Sequence, residues 1–371
     1  MNRKRFLGIA GGVILVSTGV PYLISDKNNF KRNDMQSNPK RKISILDNER
    51  EILYLASLAP SGHNTQPWFV KYIESYHWII GSDKSKWLDG VDPTQRETIL
   101  SIGAFLQNLE YAANNFGYAC QLTLLATSKQ DENIMEVKLT NSNNSAKFDI
   151  QKIKQRRTLR SNYLRDVLKK EDVAYLKNEE PDCFYFLPNT TKEFQLLNEQ
   201  TIEANRIQAY RDDAEKELAN WIRFSSKDAK THCDGLTLAS MEIKGIIAWY
   251  LRNFYGKADV MKNSFREKSI DGVKDQVAKS AGWLLITSKD NSVSTLLETG
   301  KRLQRLLLKI RGRNIAIHPM TQILEEASSR QELHSSIGIS DNIQFILRTG
   351  YLTNYPQPVS LRRPVDWFVR L

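Results

Sequence analysis

The sequence predicts an α+β protein assembled from two related halves. Two observations carry this. Beyond residue 42, segments with helical periodicity alternate with short apolar runs of strand length. In addition, Gly103-Ala-Phe-Leu106-Gln107-Asn-Leu109 is echoed 197 residues later by Gly300-Lys-Arg-Leu303-Gln304-Arg-Leu306. Thr98 and Thr295, Leu100 and Leu297, and Ala119 and Ala316 keep the same step. In each copy two leucines share a helical face at i, i+3, and a glycine one turn earlier lets another backbone come close. A strand-like run follows each helix, so the echo reads as a duplication.

The elements follow in order. Residues 47–59 form a helix: Asp47 can cap it, Ile52, Leu55, Ala56 and Ala59 recur at helical spacing, and Pro60 ends it. Trp68–Ile73 and Tyr76–Gly81 read as strands. Pro93–Phe116 is a long helix with Pro93 in its first turn. Tyr118–Ala126 and Ile134–Leu139 are strands, and the polar run 141–147 is a turn or boundary. Helices dominate 161–255. Trp283–Thr287 is a short apolar strand, Ser292–Arg311 a helix, and Gln344–Tyr351 a late strand.

Charge narrows the function. Lys and Arg total 53 against 42 Asp and Glu in 371 residues, a net charge of +11. Nine basic and two acidic residues fall within 1–42, so the other 329 residues carry only +4. That argues against a nucleic-acid partner, which needs a concentrated basic face. Cys120, Cys183 and Cys233 form no CxxC, and the five histidines show no metal spacing, so no metal is expected. Whether Cys183 and Cys233 pair is open.

Residues 1–25 read as an export signal or membrane anchor. Arg3-Lys4-Arg5 precedes Phe6–Ile24, which holds no charge and is just long enough to span a bilayer. The order resembles a twin-arginine signal with Lys4 in the second arginine place. Residues 26–42 are a polar linker. The expected location is across, or anchored to, a bacterial inner membrane on its periplasmic side. Residues 43–150 and 151–371 are the two halves.

Three segments carry candidate chemistry. Ala59-Pro60-Ser61-Gly62-His63-Asn64-Thr65-Gln66-Pro67-Trp68 joins a helix to a strand. Its prolines fix the backbone, Gly62 permits an unusual turn, and Ser, Asn, Thr and Gln offer donors and acceptors suited to a flat heteroaromatic ligand. Arg156-Arg157-Thr158-Leu159-Arg160 can enclose a phosphate. Ser360-Leu361-Arg362-Arg363-Pro364 lies near the C-terminus. Ser61 and His63 do not make a hydrolase, because no third orienting group or oxyanion hole is evident.

Together these segments resemble the nitroreductase superfamily of FMN flavoproteins. The resemblance implies that Ser61, Asn64 and Gln66 contact flavin and ribityl, that Arg156, Thr158 and Arg160 hold the phosphate end, and that Arg362 or Arg363 adds a late cation. Met320, with Thr321 after His318-Pro319, falls where the family's backbone lies near the flavin edge. Ordinary members carry the arginine segment before the Pro-Ser loop. Here it follows, at 156, which resembles the fused, Acg-type branch, in which one chain stands for a homodimer. The implied fold is nitroreductase-like: two homologous halves, each a small, mainly antiparallel sheet flanked by helices. A helical region at about 200–260, including Trp221, Arg223 and Asp234-Gly235, would be lid-like.

The implied function is an exported FMN-dependent oxidoreductase, carrying electrons from a small-molecule donor to a quinone- or nitroaromatic-like acceptor through flavin N5. No side chain is assigned as general acid or base. The alternative is an FMN-sequestering protein with little or no turnover, since export separates the chain from cytosolic NAD(P)H. One FMN per chain and a pseudo-dimeric monomer are expected, because the 197-residue offset carries Pro60–Gln66 onto Lys257–Asn263, which lacks the prolyl turn and its donors.

Overall fold

The computed structural model describes residues 43–142, 147–161, 163–178 and 181–371. The expected export segment and linker lie outside them, as does most of the polar run 141–147. Among the described residues no helix is long and apolar enough to cross a membrane.

The first half runs α1 (Asp47–Ser57), β1 (Trp68–Glu74), β2 (His77–Ser82), α2 (Arg96–Asn115), β3 (Tyr118–Leu124) and β4 (Asn133–Asn141). The second contributes β5 (Phe184–Pro188). It continues with α3 (Lys192–Tyr210), α4 (Asp212–Trp221), β6 (Ile222–Arg223), β7 (Leu236–Thr237), α5 (Gly245–Phe254) and α6 (Asn263–Val277). It closes with β8 (Gly282–Ser288), α7 (Val293–Lys309), β9 (Ile315–Pro319), β10 (Asn342–Tyr351) and β11 (Val369–Arg370). Short helical turns join several of these.

The duplication is visible in the topology. One sheet is ordered β11-β1-β2-β4-β3 and the other β5-β8-β10-β9. Dropping β11, the two orders are the same, with antiparallel neighbours throughout. Helices α2 and α7 begin 197 residues apart, as do β3 and β9. The fold is thus α+β, two like halves with small antiparallel sheets flanked by helices. The C-terminal β11 pairs in parallel with β1, so the chain's end supplies an edge to the first half's sheet.

The halves share one core. Ile102, Phe105, Leu106 and Leu109 of α2 pack with Leu296, Leu303, Leu306 and Leu307 of α7 and with both sheets. Each such buried side chain contributes about 1.5–3 kcal/mol. The glycines act reciprocally: a Cβ on Gly103 would strike the Leu297 carbonyl, and one on Gly300 the Leu100 carbonyl. One turn on, Gln304 Nε2 donates to Asn108 Oδ1 (2.6 Å) and Arg305 to Gln107 Oε1 (2.9 Å), again a symmetric pair.

Local starts differ from expectation. Asp47 is not the cap of α1. Glu49 instead takes the Leu46 amide (3.0 Å), its carboxylate serving the freed N–H from inside the first turn. Helix α2 starts at Arg96, not Pro93, because the Asp92 carboxylate accepts the amides of Glu97 (2.8 Å) and Thr98 (3.1 Å). None of the three cysteines forms a disulfide.

The halves differ at one hairpin. Ser75 and Tyr76 alone join β1 to β2, whereas residues 189–281 separate the corresponding β5 and β8. This insertion is helical, with a small core of its own around Ile222, Phe224, Leu238 and Val260.

Candidate functional site

A cavity of about 300 Å³ opens where the halves and the insertion meet. Pro60, Ser61, Gly62 and His63 line it from the first half, with Glu97, Leu100, Ser101 and Ala104 of α2. Thr158, Arg160, His318, Pro319, Thr321 and Glu325 line it from the second, and Asn205, Gln208, Leu218 and Leu236 from the insertion.

The loop behind Pro60 is built from left-handed residues. His63 (φ 46°), Asn64 (φ 57°) and Gln66 (φ 56°) hold positive φ, while Gly62 does not. The unusual turn expected at Gly62 therefore sits on its neighbours. Gly62 serves by close approach, since a Cβ there would press on Leu88 and Glu97. Positive φ costs roughly 1 kcal/mol or more per residue, so the surroundings must hold the loop.

They do so with the remaining motif residues. Asn64 Nδ2 donates to the Gly235 and Leu361 carbonyls (3.0 and 3.2 Å), and its Oδ1 accepts from Arg362 (2.7 Å). Gln66 Nε2 donates to the Cys233 carbonyl (3.1 Å), and its Oε1 accepts the Arg363 amide (2.8 Å). The Arg362 guanidinium also reaches the carbonyls of Leu58 and Ala59 (3.2 and 3.0 Å), and Arg363 that of Trp68 (2.6 Å). Arg156 donates to the Leu58 carbonyl (3.4 Å) and Thr158 Oγ1 (3.3 Å). Asn64, Gln66, Arg156, Arg362 and Arg363 thus brace the loop, and none lines the cavity. Met320 packs into the second half's core, and its amide is spent on the Ile346 carbonyl (2.8 Å). Of the expected site residues, Ser61, Thr158 and Arg160 line the cavity.

Arg160 makes one end cationic. Its amide donates to Glu242 (3.1 Å) and its guanidinium to the Ser240 carbonyl (2.9 Å). The fully buried Arg348 grips the Arg160 and Ser161 carbonyls (both 3.0 Å). Burial, aided by the Arg160 charge, lowers the His63 pKa to about 4 and drives His318 well below its usual value. Both imidazoles are therefore neutral near pH 7. His318 Nδ1 is buried without a hydrogen-bond partner.

The other end is acidic. The Thr321 hydroxyl lies 2.9 Å from Glu325 Oε1 and 3.2 Å from Glu97 Oε1, yet has one proton to give. One carboxyl must therefore carry its own proton. Glu97 has Arg96 beside it (3.0 Å). Glu325 has Gln208 (2.6 Å), and burial together with the Glu97 charge raises its pKa to about 8. Glu325 is the protonated member at neutral pH. Neither glutamate was expected from sequence. The one available signal was Glu97, a carboxylate on the helical stripe with Leu100, Ser101 and Ala104.

The insertion is fastened down. The Gly235 amide donates to the Asn64 carbonyl (3.1 Å) and Asp234, fully buried, pairs with Lys86 (2.7 Å) and Arg223 (2.6 Å). Glu217 accepts the Gly90 amide (2.8 Å). Trp221 packs with Leu88 and Val91, closing the same seam. Among the described residues no group of His, Cys, Asp and Glu could hold a metal.

Fold and site define a duplicated α+β protein with a composite cavity at the seam of its halves. No family model matches the chain. It is 22% identical over 315 residues to a protein of Serratia sp. (strain ATCC 39006) named as a probable NAD(P)H nitroreductase, PigM, covering 80% of this chain and 86% of that one. It is 25% identical over 334 residues to the Mycobacterium tuberculosis protein acg, likewise named for the NAD(P)H nitroreductases, covering 85% and 93%. A crystal structure from Anabaena variabilis, titled as a nitroreductase, aligns over 88% of this chain and 98% of its own at 12% identity and a TM-score of 0.35. The chain is thus similar, over most of its length, to PigM and acg, both named as NAD(P)H nitroreductases.

Proposed function

We propose that the protein is an oxidoreductase of the nitroreductase type that uses FMN to move electrons from a small-molecule donor to a quinone- or nitroaromatic-like acceptor. The observation that carries this is the composite cavity, which draws on the Pro-Ser loop of one half and the arginine segment of the other. Its residues fit FMN. The volume is within the range of ligand sites, Arg160 with Thr158 and Ser61 offers a cation and hydroxyls to one phosphate, and His318 Nδ1 is an unspent polar atom beside them.

When bound, FMN would supply two-electron transfer at its N5. The chain's own residues do the rest. Arg160, held by Glu242 and Arg348, stabilises negative charge without having to reorganise. His63 and His318, kept neutral, add no competing charge. Glu325 keeps a proton at the cavity wall below about pH 8, available to an oxygen that gains electrons. The insertion covers part of the cavity with Asn205, Gln208, Leu218 and Leu236. The charge-free run Phe6–Ile24 behind Arg3-Lys4-Arg5 supports export or membrane anchoring, which cell fractionation tests.

Purified protein should be yellow, release FMN on heating, bleach with a reductant and recolour with a quinone or nitroaromatic. FAD as the released species, or no flavin at all, would overturn the proposal. The fastened insertion favours a second reading, FMN sequestration, which predicts a flavin that bleaches but does not recolour with either acceptor.

A further inference from the structure

We propose that α5 is a membrane-contact helix, laying its apolar face on a bilayer with anionic headgroups. Twelve large apolar side chains of the described residues are exposed, and four of them fall within nine positions of this helix: Ile246 (54%), Ile247 (56%), Tyr250 (39%) and Phe254 (62%). Scattered single residues need no explanation, whereas a cluster on one element does. The opposite side of the helix is anchored. Ala248 packs with Ile222, Phe224 and Val260, and Leu251 rests against that cluster. The exposed rings of Tyr250 and Phe254 lie 5.2 Å apart, and Phe254 also meets the buried Trp249 at 5.8 Å.

Charge selects the occupant. From Ile243 to Ala258 the chain holds Lys244, Arg252 and Lys257 and no acidic residue. Lys244 and Lys257, both exposed, flank the helix ends. Aliphatic and aromatic side chains on one face, bordered by cations, match the headgroup–acyl boundary of an anionic membrane. A second copy of the chain fits less well, because a self-complementary contact would bring the same cations together. The chain also has the reach. Residues 25–42, extended, span up to about 60 Å, enough for a body tethered through 6–24 to turn this face to the surface.

The test uses the full chain reconstituted in vesicles of phosphatidylethanolamine with phosphatidylglycerol, and in vesicles of phosphatidylcholine alone. Hydrogen exchange is followed over 245–254. We expect exchange at least fivefold slower in the anionic vesicles. The slowing should vanish in an Ile246→Ser, Ile247→Ser, Phe254→Ser variant and weaken in a Lys244→Gln, Lys257→Gln variant whose apolar face is intact. Equal exchange in the two vesicle types would overturn the proposal. So would equally slow exchange in both with a dimeric mass in detergent, which would assign the face to a second copy.

Discussion

The two sides of the α2–α7 seam began alike and have diverged. On one side Ala104 and Ser101 floor the cavity, and Glu97 stands at its acidic end. The counterparts across the pseudo-twofold axis are Lys301, Glu298 and Ser294. Lys301 Nζ bonds Glu110 (2.8 Å), laying an ion pair where the first side has a methyl group. The chain ahead of β5, the counterpart of β1, reads Leu176-Lys-Asn-Glu-Glu-Pro-Asp182 and has no Pro-Ser loop in its sequence; positions 257–263, reached by the 197-residue step, lie in the insertion and are not the structural equivalent. A duplicated fold can therefore keep its seam symmetric for stability while its two sides take different chemistry.

The most decisive way to break this comparison is to count flavins. Saturated protein should show one FMN per chain by absorbance; a ratio near two would mean the mate site is functional. Next is the seam itself. Gly103→Val and Gly300→Val should each destabilise by about 3 kcal/mol, and by similar amounts, because each drives a side chain into the partner helix's carbonyl. Urea midpoints would check this, and tolerance of either one would deny the reciprocity. Arg160→Gln should weaken FMN by about 1.5–3 kcal/mol in a fluorescence titration, while Lys301→Gln on the other side should leave affinity unchanged.

The smallest effect concerns pH. Glu325 has a raised folded pKa, about 8, so its contribution to stability is full below the unfolded carboxyl value and fades as pH rises through 8. Glu325→Gln should therefore show a shallower loss of stability between pH 5 and pH 8 than the parent chain. An unchanged slope in thermal melts would place the shared proton elsewhere.

What could be read from sequence follows from where the information lies. Helices α2 and α7 were legible because their apolar stripe and glycine are local and repeat. Most strands were legible by alternation. Strand β5 was not: Phe-Tyr-Phe-Leu-Pro is short, lacks alternation and borders the helical insertion. The site was half legible. Residue types in the Pro-Ser loop and the arginine runs pointed to one place, and the fold does bring Arg156, Arg362 and Arg363 to that loop. Their partners there are main-chain carbonyls, which no side-chain pattern reveals. Glu97 and Glu325 meet across the seam from distant parts of the chain, and only the folded halves join them.

The fastening of the insertion also sets a clock. Gly235 on Asn64, Asp234 on Lys86 and Gln208 on Glu325 tie residues 189–281 to both halves beside the cavity. Lifting the insertion is a local opening whose free energy belongs to the protein and not to the ligand. Any occupant whose departure required that opening would leave at a rate set by it, whatever its affinity.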